Sequence, residues 1–123
     1  MNGSNLVIDT NIALYLFNGD ETIAELLNGR NIYISFITEL ELLGFHGITN
    51  EQKAIAKEFI EACIVIDLNE PIKRLTIDIR AEYNLKIPDA IIAASSLYLN
   101  LPLISADKVF EKVSALQFLK YEL

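Results

Sequence analysis

Apolar residues fall along this chain in two rhythms: short unbroken runs of strand type, and longer stretches in which they return every third or fourth position. Asn5-Leu-Val-Ile8 is the first short run. It stops at Asp9-Thr-Asn, after which Ile12, Leu14, Tyr15, Leu16 and Phe17 predict a mostly buried helix. Asn18-Gly19-Asp20 breaks that helix, and residues 21–28 carry Ile23, Leu26 and Leu27 at helical spacing before Gly29 closes the segment. Ile32-Tyr-Ile-Ser35 predicts a second strand, followed by a leucine-rich helix over 38–45 ending at Gly44 or Gly47. Asn50 is placed to cap a helix over 51–62, with Ile55, Phe59 and Ala62 on one face. Residues 63–67 form a third strand. Pro71 suits the first turn of the next helix, whose Ile72, Leu75, Ile79 and Tyr83 share a side, and Pro88 opens another over 89–99. Residues 101–105 predict a fourth strand, 107–113 a short helix and 116–119 a last strand. This alternation predicts an α/β fold: a central, mainly parallel sheet of four to five short strands, helices on both faces, and ligands at the carboxyl ends of the strands.

Composition narrows the class. With 123 residues, 52% of them hydrophobic and 22% charged, residues 1–123 are expected to form a single domain with a substantial core. Cys63 is the only cysteine, which excludes an intramolecular disulfide, a cysteine-rich zinc site and a CxxC redox motif and fits a reducing, cytoplasmic setting. The N-terminal residues lack the pattern of a signal peptide. The most apolar stretch, 90–104, is interrupted by Ser95, Ser96, Asn100 and Pro102 and falls short of the roughly 20 residues of a membrane span. Ten basic against 17 acidic residues give a net charge of −7, which argues against nucleic-acid binding through a generally basic surface.

The surplus carboxylates are not randomly placed. Asp9 ends the first strand, Asp107 lies just past the fourth, and Asp89 sits in the first turn of the helix that Pro88 opens. Each position alone suits an ordinary helix cap. Together, strands one and four of a parallel sheet can bring Asp9 and Asp107 to one sheet edge, where several carboxylates repel unless a hard divalent cation such as Mg²⁺ or Mn²⁺ neutralises them. His46, the lone histidine, follows Gly44-Phe45 at a helix end and reads as a C-terminal cap rather than a catalytic base. There is no phosphate-binding glycine loop and no dinucleotide fingerprint. A fourth acid should come from Glu39 or Glu41, which lie at similar angles to the stripe Ile37, Leu40, Leu43 and Gly44, so spacing alone leaves both open.

Four segments in register carry a family resemblance: Val7-Ile-Asp9-Thr-Asn11, Ile34-Ser-Phe-Ile-Thr38-Glu-Leu-Glu41-Leu, Ile87-Pro-Asp89-Ala-Ile-Ile-Ala-Ala94, and Leu103-Ile-Ser105-Ala-Asp107-Lys-Val-Phe110. Together they resemble the PIN-domain ribonucleases, and specifically the small VapC-type toxins of toxin–antitoxin pairs. The resemblance implies a PIN-like three-layer sandwich and selects Glu41 over Glu39. It further implies that Asp9, Glu41, Asp89 and Asp107 are the catalytic and metal-holding acids, with Asn11 and Ser105 orienting them. The implied activity is Mg²⁺- or Mn²⁺-dependent hydrolysis of RNA phosphodiesters to 5'-phosphate and 3'-hydroxyl ends. The implied partners are an RNA substrate, a cognate antitoxin offering basic residues to the acidic pocket, and a second copy of the chain in a homodimer.

Phosphate contacts are sought among Lys86, three residues before Asp89, Lys108, next to Asp107, and Arg80. Each is also a residue type that ordinarily decorates solvated surface; Tyr33, Tyr83 and Tyr98 are candidates to stack on bases, although aromatic residues within apolar stripes are usually core. Alternative readings are a housekeeping nuclease of the same fold, an inactive binding module, or a receiver-like phospho-acceptor domain with Asp67 as acceptor. The receiver reading lacks paired acids after the first strand and leaves Glu41 and Asp89 without a role.

Overall fold

A computed structural model of the chain describes residues 4–122. Its elements run β1 (Asn5–Ile8), α1 (Thr10–Phe17), α2 (Glu21–Leu27), β2 (Asn31–Ser35), α3 (Phe36–Leu43), α4 (Asn50–Glu61), β3 (Ile64–Ile66), α5 (Glu70–Glu82), α6 (Ile87–Leu99), β4 (Leu103–Ser105), a 3-10 helix (Lys108–Lys112) and β5 (Phe118–Lys120). The five strands form one sheet in the order β3-β2-β1-β4-β5, and every pair is parallel. The α/β architecture expected from the alternation is therefore present.

Successive strand residues face opposite sides of a pleated sheet, and the two cores follow that period. Leu6, Ile8, Ile32, Ile34 and Ile104 pack with α1, α2, α3 and α4 on one face. Val7, Ile66 and Leu103 pack with α5, α6 and Phe110 of the 3-10 helix on the other. β1 is buried from Leu6 to Ile8 because it lies in the middle of the sheet with helices above and below. Among the described residues no helix is long and apolar enough to cross a membrane.

Three local expectations change. The cap of α4 is Thr49, not Asn50: Thr49 Oγ1 accepts the Gln52 N–H at 3.1 Å while Gln52 Oε1 accepts the Thr49 N–H at 3.0 Å. That reciprocal box requires Gln or Glu three residues after the cap, a condition that Thr49 meets. The buried face of α4 accordingly carries Ala56 and Ile60, while Ile55 is exposed and Phe59 meets Phe17 edge-on. In α3, which starts at Phe36 rather than Thr38, the buried positions are Thr38 and Leu42, and Leu40 is 60% exposed. The helix straddles the end of the sheet, with Ile37 against one core and Leu42 in the other, which frees Leu40 and Glu41 to face outward. His46 is not the cap of α3. Gly44 is, and its N–H bonds Leu40 O at 2.8 Å; a Cβ at position 44 would stand 2.8 Å from that same oxygen.

β4 is shorter than the run 101–105, beginning after Pro102, which has no N–H to give to a ladder, although its carbonyl accepts the Val7 N–H at 2.9 Å. β3 is likewise trimmed to three residues, and β5 is shifted, starting at Phe118 and running one residue past the expected 116–119. These adjustments leave the expected positions of Asp9, Asp89 and Asp107 intact: one directly after β1, one in the first turn of α6, one two residues past β4.

Candidate metal-binding site

Asp9 is the first residue past β1 and caps α1, and this double duty fixes its carboxylate. Oδ1 accepts the Thr10 N–H at 2.8 Å. Oδ2 accepts the Ser105 hydroxyl at 2.7 Å and Asn11 Nδ2 at 3.2 Å. Asp9 is only 7% exposed, so nearly all of its hydration has been exchanged for these bonds. Ser105 reaches it because β1 and β4 are neighbours, with Ile8 opposite Ile104. The same Ser105 Oγ accepts the Asp107 N–H at 3.0 Å, and Asn11 Oδ1 accepts the Ala106 N–H at 3.3 Å. Asn11 and Ser105 thus hold the chain segments that carry Asp9 and Asp107 against each other.

Glu41 arrives from α3. Its Oε1 accepts the Thr10 hydroxyl at 2.5 Å, and Thr10 Oγ1 also lies 3.0 Å from the fully buried Thr38 hydroxyl. Glu39 is not at the cleft, so the helix register separates the two glutamates that spacing could not. Asp89, half-buried in the first turn of α6, completes the opposite wall. An open cleft of about 830 Å³ lies between them, with Asp9, Thr10, Asn11, Glu41 and Asp89 on its polar side and Leu14, Leu40, Gly44 and Phe45 on its apolar side. Asp107 is exposed beside it, its Oδ1 accepting the Val109 N–H at 3.0 Å as the cap of the 3-10 helix.

The four acids act on one another through their charges. Burial, above all, raises the pKa of Asp9; the bonds from Ser105 and the Thr10 N–H pull it back, and the charges of Glu41 and Asp107 push it up further. Asp89 is raised first by burial and then by Asp9, Asp107 and Glu41, with Lys86 opposing. Four mutually repelling carboxylates with oxygen-only donors suit a hard divalent cation. Among the described residues no three of these side chains converge as a ready-made metal cluster.

The basic residues divide. Lys86 precedes α6 and its charge reaches Asp89. Lys108 is exposed at the start of the 3-10 helix. Arg80, in the last turn of α5, bonds Leu85 O at 3.3 Å and so braces the α5–α6 connection. Asp67 follows β3, an edge strand separated from β1 by β2, so it does not join the cluster a receiver-type site would need. Thr10 and Thr38 lie inside the family-like segments, where the resemblance gives them no role. The signal was there: a hydroxyl next to Asp9, and another three positions before Glu41 on the same helix face.

Comparison with known proteins follows the same lines. The family model for the PIN domain matches residues 6–116. No curated protein matches the chain in sequence. A solved toxin–antitoxin complex from Klebsiella pneumoniae is 27% identical, with a TM-score of 0.84 over 96% of this chain and 99% of that one. VapBC-1 from nontypeable Haemophilus influenzae is also 27% identical, with a TM-score of 0.78 over 94% and 97%. DNA-bound VapBC from Salmonella typhimurium, at 24% identity, shares the fold with a TM-score of 0.83 over 94% and 97%. A family match along most of the chain, on a fold that superimposes on these structures nearly end to end, establishes that this protein belongs to the PIN domain family.

Proposed function

We propose that this chain is a divalent-metal-dependent ribonuclease and the toxin of a toxin–antitoxin pair. The observation that carries this reading is the buried Asp9 carboxylate, clamped by Ser105, Asn11 and the Thr10 N–H, with the charges of Glu41, Asp89 and Asp107 bearing on one cleft. Asp9, Glu41, Asp89 and Asp107 would hold Mg²⁺ or Mn²⁺. When bound, the cation supplies activation of the attacking water and neutralisation of charge developing at phosphorus, so the products are 5'-phosphate and 3'-hydroxyl ends. Asp9 fixes the centre, because its hydrogen bonds hold it still while its burial makes a counter-charge advantageous. Asn11 and Ser105 orient it. No 2'-hydroxyl nucleophile is required, so preference for RNA has to come from binding contacts.

Lys86, Lys108 and Arg80 are the proposed phosphate contacts, Lys86 foremost because its charge already reaches Asp89. With a net charge of −7 the protein does not attract RNA over long range, and contact is local and metal-centred. The similar solved structures are toxin–antitoxin complexes, which supports an antitoxin partner whose basic side chains enter this acidic cleft. We further propose a single domain over residues 1–123, a homodimer, and a cytoplasmic setting.

The test is cleavage of end-labelled single-stranded RNA by purified protein. Wild type is expected to cleave in Mg²⁺ or Mn²⁺ and to stop on chelation. Asp9→Asn is expected to lose about a hundredfold or more, equivalent to about 3 kcal/mol of transition-state stabilisation. Wild-type rates from Asp9→Asn would overturn the assignment.

A further inference from the structure

We infer that Thr10 is the positioning residue for Glu41, with the buried Thr38 hydroxyl packed behind it at 3.0 Å. Glu41 projects from the solvent face of α3, where a glutamate ordinarily wanders over several rotamers. Here Oε1 is held by the Thr10 hydroxyl at 2.5 Å, and among the described residues Glu41 takes no other hydrogen bond. Thr10 is β-branched and stands at the first position of α1, so its side chain has little rotational freedom and Oγ1 has a fixed heading. A hydroxyl carries one proton. It goes to Glu41, which at 2.5 Å is the shorter of the two contacts that Thr10 Oγ1 makes, the Thr38 hydroxyl standing 3.0 Å away.

Thr38 is completely buried, so the inner side of Thr10 meets a fixed neighbour. Thr38 and Glu41 are three apart on α3, on one side of the helix, and Thr10 docks between them from α1. The Thr10 N–H meanwhile holds Asp9 Oδ1 at 2.8 Å. One residue therefore fixes two acids from different elements, its backbone holding one and its side chain the other, and the second Glu41 oxygen is left for a cation.

The consequence for metal affinity rests on the metal-site reading above; the placement of Glu41 does not. Two measurements keep them apart. In metal-free protein, the Glu41 carboxyl ¹³C resonance is expected to move and broaden in Thr10→Val, which keeps shape but has no hydroxyl, and to stay near its wild-type position in Thr10→Ser. In titrations with Mn²⁺ alone, Thr10→Val is expected to bind about tenfold to a hundredfold more weakly, the usual loss on removing a hydrogen-bond partner of a metal ligand. Thr10→Ser is expected to recover most of that affinity. The double variant Thr10→Val/Glu41→Gln is expected to bind no more weakly than Glu41→Gln alone, because Thr10 acts through Glu41. An unmoved Glu41 resonance in Thr10→Val, or losses that simply add, would overturn the inference. Should wild type take up no Mn²⁺, the metal reading falls, and the Glu41 resonance still decides the role of Thr10.

Discussion

Ser105 shows how much one hydroxyl can organise. It donates to Asp9 Oδ2 and accepts from the Asp107 N–H, while being itself fully buried. Ser105→Ala would leave a buried carboxyl group short of its shortest hydrogen bond, so a stability loss of about 1–3 kcal/mol is expected, read from denaturant midpoints. A midpoint unchanged from wild type would show that the clamp is held by other bonds. At this scale the acids themselves were legible: Asp9, Asp89 and Asp107 sit at strand ends and helix starts, where the order of elements announces them. Glu41 was not separable from Glu39 by spacing, because α3 lies across the end of the sheet and touches both cores, so no single apolar stripe marks its inner side. The threonines were harder still. A buried hydroxyl that serves a distant side chain leaves no periodic trace in the sequence, and Thr10 and Thr38 are 28 positions apart.

Among the elements, the helices that pack on the sheet were readable because their apolar spacing reports the face they bury; α5 buries Ile72, Thr76 and Ile79 and keeps Leu75 at the margin. Their boundaries depend on reciprocal side-chain bonds that spacing does not reveal. α4 provides a clean test. Thr49→Ala removes the acceptor for the Gln52 N–H and is expected to cost about 1 kcal/mol, whereas Asn50→Ala, already inside the helix, is expected to change stability little. Equal losses from the two would argue that the helix begins one residue later. The strands were placed correctly in order but their bounds were not, most plainly in the fourth, where apolarity continues through Pro102 and the strand does not.

For the molecule as a whole, the raised carboxyl groups give stability a pH dependence of definite sign. Asp9 and Asp89 hold their protons more tightly in the folded state than at the ordinary value of 3.8. Between that value and the raised ones the native state binds more protons than the unfolded chain, so stability falls as pH rises through the window. Asp20 works the other way. The Ile23 N–H and the Tyr121 hydroxyl, at 2.8 Å, hold it below its ordinary value, so its contribution is lost only at still lower pH. Metal-free protein is therefore expected to melt at higher temperature in mild acid than at neutral pH, with Asp9→Asn flattening the slope and Mn²⁺ raising Tm most at neutral pH. Thermal scans across pH would refute this if the metal-free midpoint climbed towards neutrality. The strand order carries one more consequence, in time rather than space. β1 is made first, yet its partner β4 follows nearly a hundred residues later, and the Ser105–Asp9 bond spans 96 positions. A ribosome must deliver all the residues between them before that bond can close, so a nascent chain carries Asp9 long before it carries the clamp that holds Asp9 still.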